Sequence, residues 1–588
     1  MVVAESRSRA GEMPAHTAAK AEPEILTGAQ IVCRSLEEEG VDTVFGYPGG
    51  AVIPLYDALP PANLHHVLTR FEQWAGMAAI GYARVTGKVG VCIATSGPGA
   101  TNLVTSLAEA MLDSVPLVAI TGQVMQPLIG RDGFQEVDIT GISLPVTKHN
   151  YLVRRPEDLA PTLKEAFYLA RSGRPGPILV DIPKDVFIAT APWSYPETTG
   201  RKSYQPNLVP NMRQVRLAAD LIKEAKRPLI MAGHGIILSN AEEPFKDFVE
   251  KSGIPVIFTL LGLGALDEHH PLSLGMMGMH GHRAANRALD ECDLLINFGA
   301  RFDDRATGSL SGFAPNAKVI HVDIDPAEIG KNVPTDVPVV GDAGEALKLM
   351  TAEIEQREYP QWRHWIEGQH NRVLRAALED RPDWPEPYAI IKTIADVTDG
   401  ETILTTDVGQ HQMWAAQRFG IRHGKRWVTS GGLGTMGFGL PSAIGAKMGQ
   451  PDMEVWTVVG DGGFQMSGTE LATAVQEGLD INIALINNGY LGMVRQWQDL
   501  FHARNYSEVA ISGPDFVKLA EAYGATGIRV TKDSEIRPAI EKARSIKGPV
   551  LIDFVVEPEA NVYPMVAPGA ANSSMILDPH SATETEEK

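Results

Sequence analysis

The stretch EVWTVVGDGGFQMSGTELATAVQEGLDINIALINNG, residues 454–489, reads as a strand over 454–459, a tight turn at Gly460-Asp461-Gly462-Gly463, a helix over 467–478, a second strand over 481–486, and Asn487-Asn488-Gly489 at its end. Parallel strands joined through a helix cross over with the right hand, which brings their carboxyl ends side by side, where α/β sheets bind ligands. Asp461 and Asn488 therefore converge. One carboxylate and one amide oxygen, flanked by glycines that let a diphosphate reach the backbone, form half of a hard-oxygen shell for Mg²⁺ that phosphate oxygens can complete. A lone Gly-Asp-Gly is as often an ordinary strand-end turn; the two elements spaced by 24 residues are a more specific signal.

The same alternation of strand and helix extends outward over the whole chain. Apolar runs at 89–95, 117–121, 178–182, 229–231, 256–259, 294–298, 319–322 and 550–555 are continuous, as suits parallel strands buried on both faces under helices. The fold class is α/β, with doubly wound parallel sheets. At 588 residues the chain exceeds what one hydrophobic core sustains, about 250–300 residues. Composition shifts at 191–210 (Pro, Ser, Thr, Tyr) and 359–387 (Trp, Glu, Arg, Pro) divide it. The expected parts are a flexible tail over 1–24, domains over 25–190, 211–358 and 385–558, and a charged tail over 559–588.

With 72 acidic against 52 basic side chains the formal charge is −20, which repels phosphate backbones and anionic lipid heads, so neither nucleic acid nor a membrane surface is expected as a partner. Glycines and prolines break the longest uncharged stretches, 89–108 and 427–446, and no transmembrane helix is expected. Cys33, Cys92 and Cys292 are far apart and odd in number, which argues against a disulfide framework or a thiolate metal site and for a reducing compartment. Residues 1–24 lack the apolar segment of a signal peptide. A cytoplasmic location is expected, with an organelle address in 1–24 as the alternative.

Other segments are ambiguous by themselves. Gly432-Leu-Gly434-Thr-Met436-Gly437 satisfies the G-x-G-x-x-G pattern of a dinucleotide loop, yet no strand-end acid follows at the right distance. Glu72, in Arg70-Phe-Glu-Gln-Trp-Ala-Gly76, starts a helix, where a carboxylate is favoured by the helix dipole and needs no further explanation. Arg301, Asp303, Asp304 and Arg305 form a surface ion-pair cluster if taken alone. His280 and His282 have no carboxylate or Cys at ligand spacing, which speaks against a metal there.

The Gly-Asp-Gly…Asn-Asn spacing resembles that of thiamin-diphosphate-dependent enzymes, and the rest of the chain is similar to the catalytic large subunits of the acetolactate synthase (acetohydroxyacid synthase) family. The likeness runs from about residue 24 to 574. It rests on Phe45-Gly-Tyr-Pro-Gly-Gly50, Thr95-Ser-Gly-Pro-Gly-Ala-Thr-Asn102, Arg174-Pro-Gly-Pro177, Asp181-Ile-Pro-Lys-Asp185, Arg301-Phe-Asp-Asp-Arg305, Asp323-Ile-Asp-Pro-Ala-Glu-Ile-Gly-Lys-Asn332 and Gly409-Gln-His-Gln-Met-Trp414.

The resemblance implies three domains that hold, in order, the aminopyrimidine of thiamin diphosphate, FAD, and the diphosphate with Mg²⁺. It implies a cofactor held between two subunits, hence a homodimer or homotetramer, and a small regulatory subunit. By the same likeness Glu72 is the glutamate that bonds N1′ of the aminopyrimidine; Asp461, Asn488 and Tyr490 hold the metal. Gln410, His411 and Gly434 face the diphosphate, and Met436 wedges the cofactor into its bent form. Arg174, Gly278, Met279, His280, Gly299, Arg301, Asp303, Asp304, Arg305, Asp323 and Ile324 contact FAD. Gln135 stands near the reacting carbon, Lys184 and Met125 line the access channel, and Trp497 selects the bulkier second substrate. The sequence departs from the family at Phe71, where His is usual, at Trp74, where a small residue is usual, and at Gly133, where Ala is usual.

The implied reaction decarboxylates pyruvate and joins the two-carbon unit to a second pyruvate or to 2-oxobutyrate, giving 2-acetolactate or 2-aceto-2-hydroxybutyrate, the committed step toward valine, leucine and isoleucine. A flavin-linked pyruvate oxidase shares the plan and both organic cofactors and is the alternative. A cofactor-binding but inactive scaffold, and an NAD dehydrogenase resting on 432–437 alone, are weaker competitors.

Overall fold

The continuous apolar runs become the inner strands of three six-stranded parallel sheets. The computed structural model describes residues 24–199, 203–369, 374–375, 383–578 and 581–582. The expected N-terminal tail lies outside them except for Glu24, as does the end of the C-terminal one. Among the described residues no helix is long and apolar enough to cross a membrane.

The first sheet runs, in spatial order, His65–Leu68, Thr43–Gly46, Gly90–Ala94, Leu117–Gln123, Pro177–Pro183, His149–Leu152. Successive residues of one strand bury into different cores: Val91 and Ile93 join the cluster with Leu36, Leu55 and Phe167, whereas Cys92 and Ala94 join the one with Met77, Leu103 and Phe438. Burial on both faces is why the run reads as unbroken apolar sequence.

The C-terminal sheet runs Trp427–Val428, Ile403–Thr406, Val455–Gly460, Ile481–Asn487, Val550–Val555, Thr526–Val530. Numbered within each domain, both sheets have the order 2-1-3-4-6-5, so chain direction reverses between the first strand and the third in each. The central sheet, Ser273–Met276, Val256–Phe258, Pro228–Ala232, Leu294–Phe298, Lys318–Asp323, Val337–Val340, has the order 3-2-1-4-5-6. That is the order of dinucleotide-binding sheets, with a crevice where the first and fourth strands separate.

The outer domains are held together by the helices Glu72–Thr86 and Gly439–Gly449, which cross where neither carries a side chain. A Cβ at Gly81 would strike the backbone of Ser442, and one at Gly445 the carbonyl of Ala78.

Four sequence expectations need correction. Gly460–Gly463 is not a free turn: a helix starts at Asp461 (Asp461–Ser467) and continues, after a 3-10 turn at Gly468–Glu470, as Leu471–Gln476. The presumed linker at 191–210 begins inside a strand, Thr190–Pro192, paired antiparallel with Ile25–Thr27. Within 359–387 the helix Pro360–Glu367 buries Trp362 and Ile366 in the central core. Residues 559–578, read as the start of a tail, pack across the molecule: Val562, Met565 and Val566 are buried, the Val566 N–H donates to the carbonyl of Met279, and Asn572 donates to that of Ala306. Pattern alone misses such a segment because its contacts are made one residue at a time and carry no period.

Candidate active site

The reversal point of the C-terminal sheet opens a small cavity of about 60 Å³, lined by Gly409, Gln410, His411, Met436, 460–463, Asn488 and 490–492. Asp461, at the first position of its helix, is buried, and its Oδ2 accepts from the Gly489 N–H at 3.1 Å. Asn488 Oδ1 accepts from the Tyr490 N–H at 3.0 Å, and its amide donates to Gln410 Oε1 at 3.2 Å. Burial pushes the Asp461 carboxyl up to about 6, against the surrounding backbone N–H groups, which favour the anion. The Asp461 carboxylate, the Asn488 amide oxygen and the Tyr490 turn thus lie side by side. Among the described residues no cluster of three or more His, Cys, Asp or Glu could hold a metal unaided, so a cation here needs oxygens from a ligand.

The same cavity is built to take an anion. A Cβ at Gly460 would meet the His411 ring, and one at Gly463 the Asp407 carboxylate; the glycines leave backbone accessible at the N-terminus of a helix, where N–H groups point outward. His411 is buried, its Nε2 has no partner, and burial holds its pKa down to about 3. Gln410 is fixed by Gln496 Oε1 at 2.9 Å and the Ala560 carbonyl at 2.8 Å, so the C-terminal segment reaches this site, a link not legible from motifs.

The second cavity is much larger, about 1320 Å³, and lies in the crevice of the central sheet. Of the residues matched to FAD contacts, Arg174, Met279, His280, Gly299, Arg301, Asp303, Arg305, Asp323 and Ile324 line it, as do Gly434, Met436 and Trp497. Gly278 and Asp304 do not. Gly278, at φ +100°, is locked to the Asn286 side chain through both its N–H and its carbonyl, and a Cβ there would hit the Arg305 carbonyl. Asp304 is largely exposed and lies 3.9 Å from Arg305. Asp303 caps its helix by accepting from the Arg305 and Ala306 N–H groups. Arg174 pairs with Glu328 at 2.8 Å. His280 meets the Pro564 carbonyl through Nδ1, and burial lowers its pKa to about 4. Trp497 packs edge-on against Phe501 with the Arg305 guanidinium 5.6 Å from its ring. Gly434 and Met436 sit on a loop that follows the edge strand Trp427–Val428, not a first strand–helix turn, so the G-x-G-x-x-G there is no dinucleotide fingerprint.

Glu72 and Gln135 line neither cavity; they flank the short helix Pro98–Asn102 and the Gly97 before it, at the reversal point of the first sheet. Glu72 is buried and accepts from Asn102 Nδ2 at 3.0 Å, and a Cβ at Gly99 would lie 3.2 Å from its Oε1. Gln135, at φ +59°, rests its backbone against Gly97. Lys184 opens the short helix Lys184–Ile188 at the carboxyl end of the strand Pro177–Pro183, and Met125 is 44% exposed nearby in sequence to Gln126, whose amide bonds Asp185. Phe71 and Trp74 pack together with ring centroids 6.0 Å apart, and Trp74 fills the space under Gly437. Asn102 was not among the expected site residues, although the Thr95–Asn102 motif contains it.

A single chain therefore presents a buried carboxylate at the reversal point of one sheet and a glycine-lined cavity with Asp461 and Asn488 at that of the other. Family comparisons agree with this division. Residues 26–142 match the N-terminal TPP binding domain of thiamine pyrophosphate enzymes, 215–350 their central domain and 407–554 their C-terminal TPP binding domain. The fold and site define a thiamin-diphosphate-dependent enzyme. The chain is 51% identical over 587 residues to the acetolactate synthase large subunit of Corynebacterium glutamicum, covering 98% of this chain and 94% of that one. It is 51% identical over 566 residues to the acetolactate synthase of Mycobacterium leprae (94% and 91%) and 46% over 559 residues to the isozyme 2 large subunit of Escherichia coli (94% and 99%). It belongs to the acetolactate synthase large-subunit family.

Proposed function

We infer that the chain decarboxylates pyruvate and transfers the two-carbon unit to the carbonyl of a second pyruvate or of 2-oxobutyrate, forming 2-acetolactate or 2-aceto-2-hydroxybutyrate. The observation that carries this is the cradle of Asp461, Asn488 and the glycine turn at the sheet reversal point, within a chain of this family. Thiamin diphosphate supplies the carbanion chemistry. The protein's part is to hold, orient and deprotonate. Asp461, Asn488 and the Tyr490 turn would hold Mg²⁺ against the diphosphate, with Gln410 and His411 opposite. Met436 would keep the two rings apart and bent, and Glu72 would hold a proton at N1′. Glu72 lines neither the small nor the large cavity of its own chain, which accords with a site shared between two copies, a working form of at least a homodimer, and a small regulatory subunit as further partner. The free, buried cysteines accord with work in the reducing cytoplasm.

FAD suits the large cavity by volume, by its place at the crevice of a 3-2-1-4-5-6 sheet, and by the Arg301 and Arg305 guanidiniums and the strand-end Asp323 on its wall. The proposed reaction is redox-neutral, so this flavin is structural. Replacing it with a redox-inert analogue should leave acetolactate formation nearly intact, as followed by product yield; strict dependence on flavin reduction would move the assignment to a pyruvate oxidase. Feeding pyruvate while recording products and oxygen uptake tests the reaction itself, the expected result being acetolactate without oxygen consumption.

Trp497 would select the acceptor by apolar contact with one additional methylene, an effect worth about 1–3 kcal/mol. Trp497→Leu should lower the preference for 2-oxobutyrate over pyruvate by roughly tenfold or more in a competition assay, with decarboxylation retained. Unchanged product ratios would remove Trp497 from this role.

A further inference from the structure

The loop at 430–437 forms part of the wall of the large cavity and carries Met436 into the small one. What holds it comes from another domain. On the helix Val104–Asp113, Glu109 and Asp113 stand one turn apart, both buried. Glu109 Oε2 accepts from Ser430 Oγ at 2.7 Å and from Thr435 Oγ1 at 2.5 Å, and Ser430 Oγ in turn accepts from the Thr435 N–H at 2.9 Å. Asp113 accepts from the Gly432 N–H at 2.6 Å through one oxygen and from the Gly431 N–H at 3.1 Å through the other. Five hydrogen bonds thus fix four residues of a loop whose glycines would otherwise leave it free.

We propose that Glu109 and Asp113 are positioning residues of the reaction, a two-carboxylate clamp on the loop 430–437 that sets where Met436 stands between the two cavities. The proposal rests on the reading of Met436 as the residue that bends the cofactor.

The groups around the clamp decide its charge. Arg84 is buried beneath it, with Nη1 4.0 Å from Asp113 Oδ2 and Nη2 donating to the Trp427 carbonyl. The ring of His234 meets the backbone carbonyl of Asp113, and burial together with Arg84 keeps that imidazole neutral. Arg84 is the buried cation that faces the two carboxyl groups, and Arg301 Nη2 also comes close to Gly432 beside Asp113 Oδ1. Burial first, and Asp113 beside it second, push the Glu109 carboxyl well above the usual range. Asp113 uses both oxygens as acceptors of backbone N–H, which leaves the proton of the pair to Glu109. Glu109 Oε1, which no donor reaches, then carries the proton and donates it toward Asp113. A neutral acid accepting through one oxygen and donating through the other has an isostere in glutamine, whereas alanine supplies neither bond.

The test uses the full-length chain reconstituted with thiamin diphosphate, Mg²⁺ and FAD. It measures kcat and KM for pyruvate, thiamin diphosphate affinity, and deuterium exchange at thiazolium C2. In Glu109→Ala, and in Thr435→Val, which removes a donor from a partly exposed position and spares the buried core, C2 exchange and kcat should fall together. The expected loss is about tenfold to a hundredfold, the scale of a small misplacement of a reacting group, while KM and cofactor affinity hold. Glu109→Gln should recover most of what Glu109→Ala loses. Met436→Ala is the control for the underlying reading and should show the same slowed exchange. Normal exchange in Thr435→Val and Glu109→Ala beside a slow Met436→Ala would overturn the clamp and leave the role of Met436 standing. Glu109→Gln as impaired as Glu109→Ala would overturn the neutral-acid pairing on which the clamp depends. Normal exchange in Met436→Ala would remove the reading beneath it and the clamp with it.

Discussion

Glu72→Gln should slow proton loss from thiazolium C2 by about 10²–10⁴-fold, the usual worth of a positioned acid or base. Glutamine keeps the size of the side chain and still offers an oxygen to Asn102 Nδ2, the partner that orients Glu72 in the structure, but it cannot exchange a proton with N1′. The fold should survive, since burying an amide costs less than burying a carboxylate. Glu72 is 9% exposed and its helix has no side-chain N-cap, so a purely local role at the helix start would leave catalysis untouched. Acid-quenched hydrogen–deuterium exchange read by NMR distinguishes the two. Near-normal exchange with thiamin diphosphate fully bound would return Glu72 to the rank of a helix-start carboxylate and require another base.

The second large effect is expected at the metal. Among the described residues Asp461 is the only carboxylate lining the small cavity. Loss of an outer partner of a metal ligand already costs about 10–100-fold in affinity, and Asp461→Ala removes the side chain we propose as the charged ligand itself. Thiamin diphosphate affinity, measured by titration calorimetry in the presence of Mg²⁺, should fall by more than that, and excess Mg²⁺ should restore little. The change also leaves the Gly489 N–H without its acceptor, a stability loss of about 1–3 kcal/mol that thermal unfolding would register separately. Wild-type affinity in this variant would refute the assignment of the site.

Both predictions lean on residues that the sequence made visible, and the reason is geometric. Asp461 and Asn488 end adjacent inner strands whose two faces are buried, so their strands read as unbroken apolar runs and their junctions as sharp breaks. The strands that escaped notice are mostly the outermost: His65–Leu68 and His149–Leu152 in the first sheet, Ser273–Met276 and Val337–Val340 in the central one, Thr526–Val530 in the last. These are wholly or partly half-exposed, as at all four positions of His149–Leu152, and an edge strand needs no continuous apolar signal. Thr43–Gly46 and Ile403–Thr406 are fully buried yet short, ending in glycine or threonine, and were missed for that reason. Among site residues, Gly278 and Asp304 were carried along by their motifs although neither reaches the cavity. The buried acids at 109 and 113 passed unremarked because four-residue spacing in an apolar helix shows in the sequence but its destination, a loop more than 300 residues away, does not.

The crossing of the helices Glu72–Thr86 and Gly439–Gly449 works as a gauge block. Its thickness is set by two absent methyl groups, at Gly81 and Gly445, each of which would collide with backbone rather than with a side chain that can turn aside. Backbone-to-backbone seating of this kind has no alternative rotamer to yield, which favours the two outer domains of one chain staying fixed to each other. That seating argues against a hinge between them as the way of opening or shutting the catalytic centre. Whatever admits pyruvate and releases product has to be done by shorter pieces, loops and the C-terminal strap, sliding over a block that stays still.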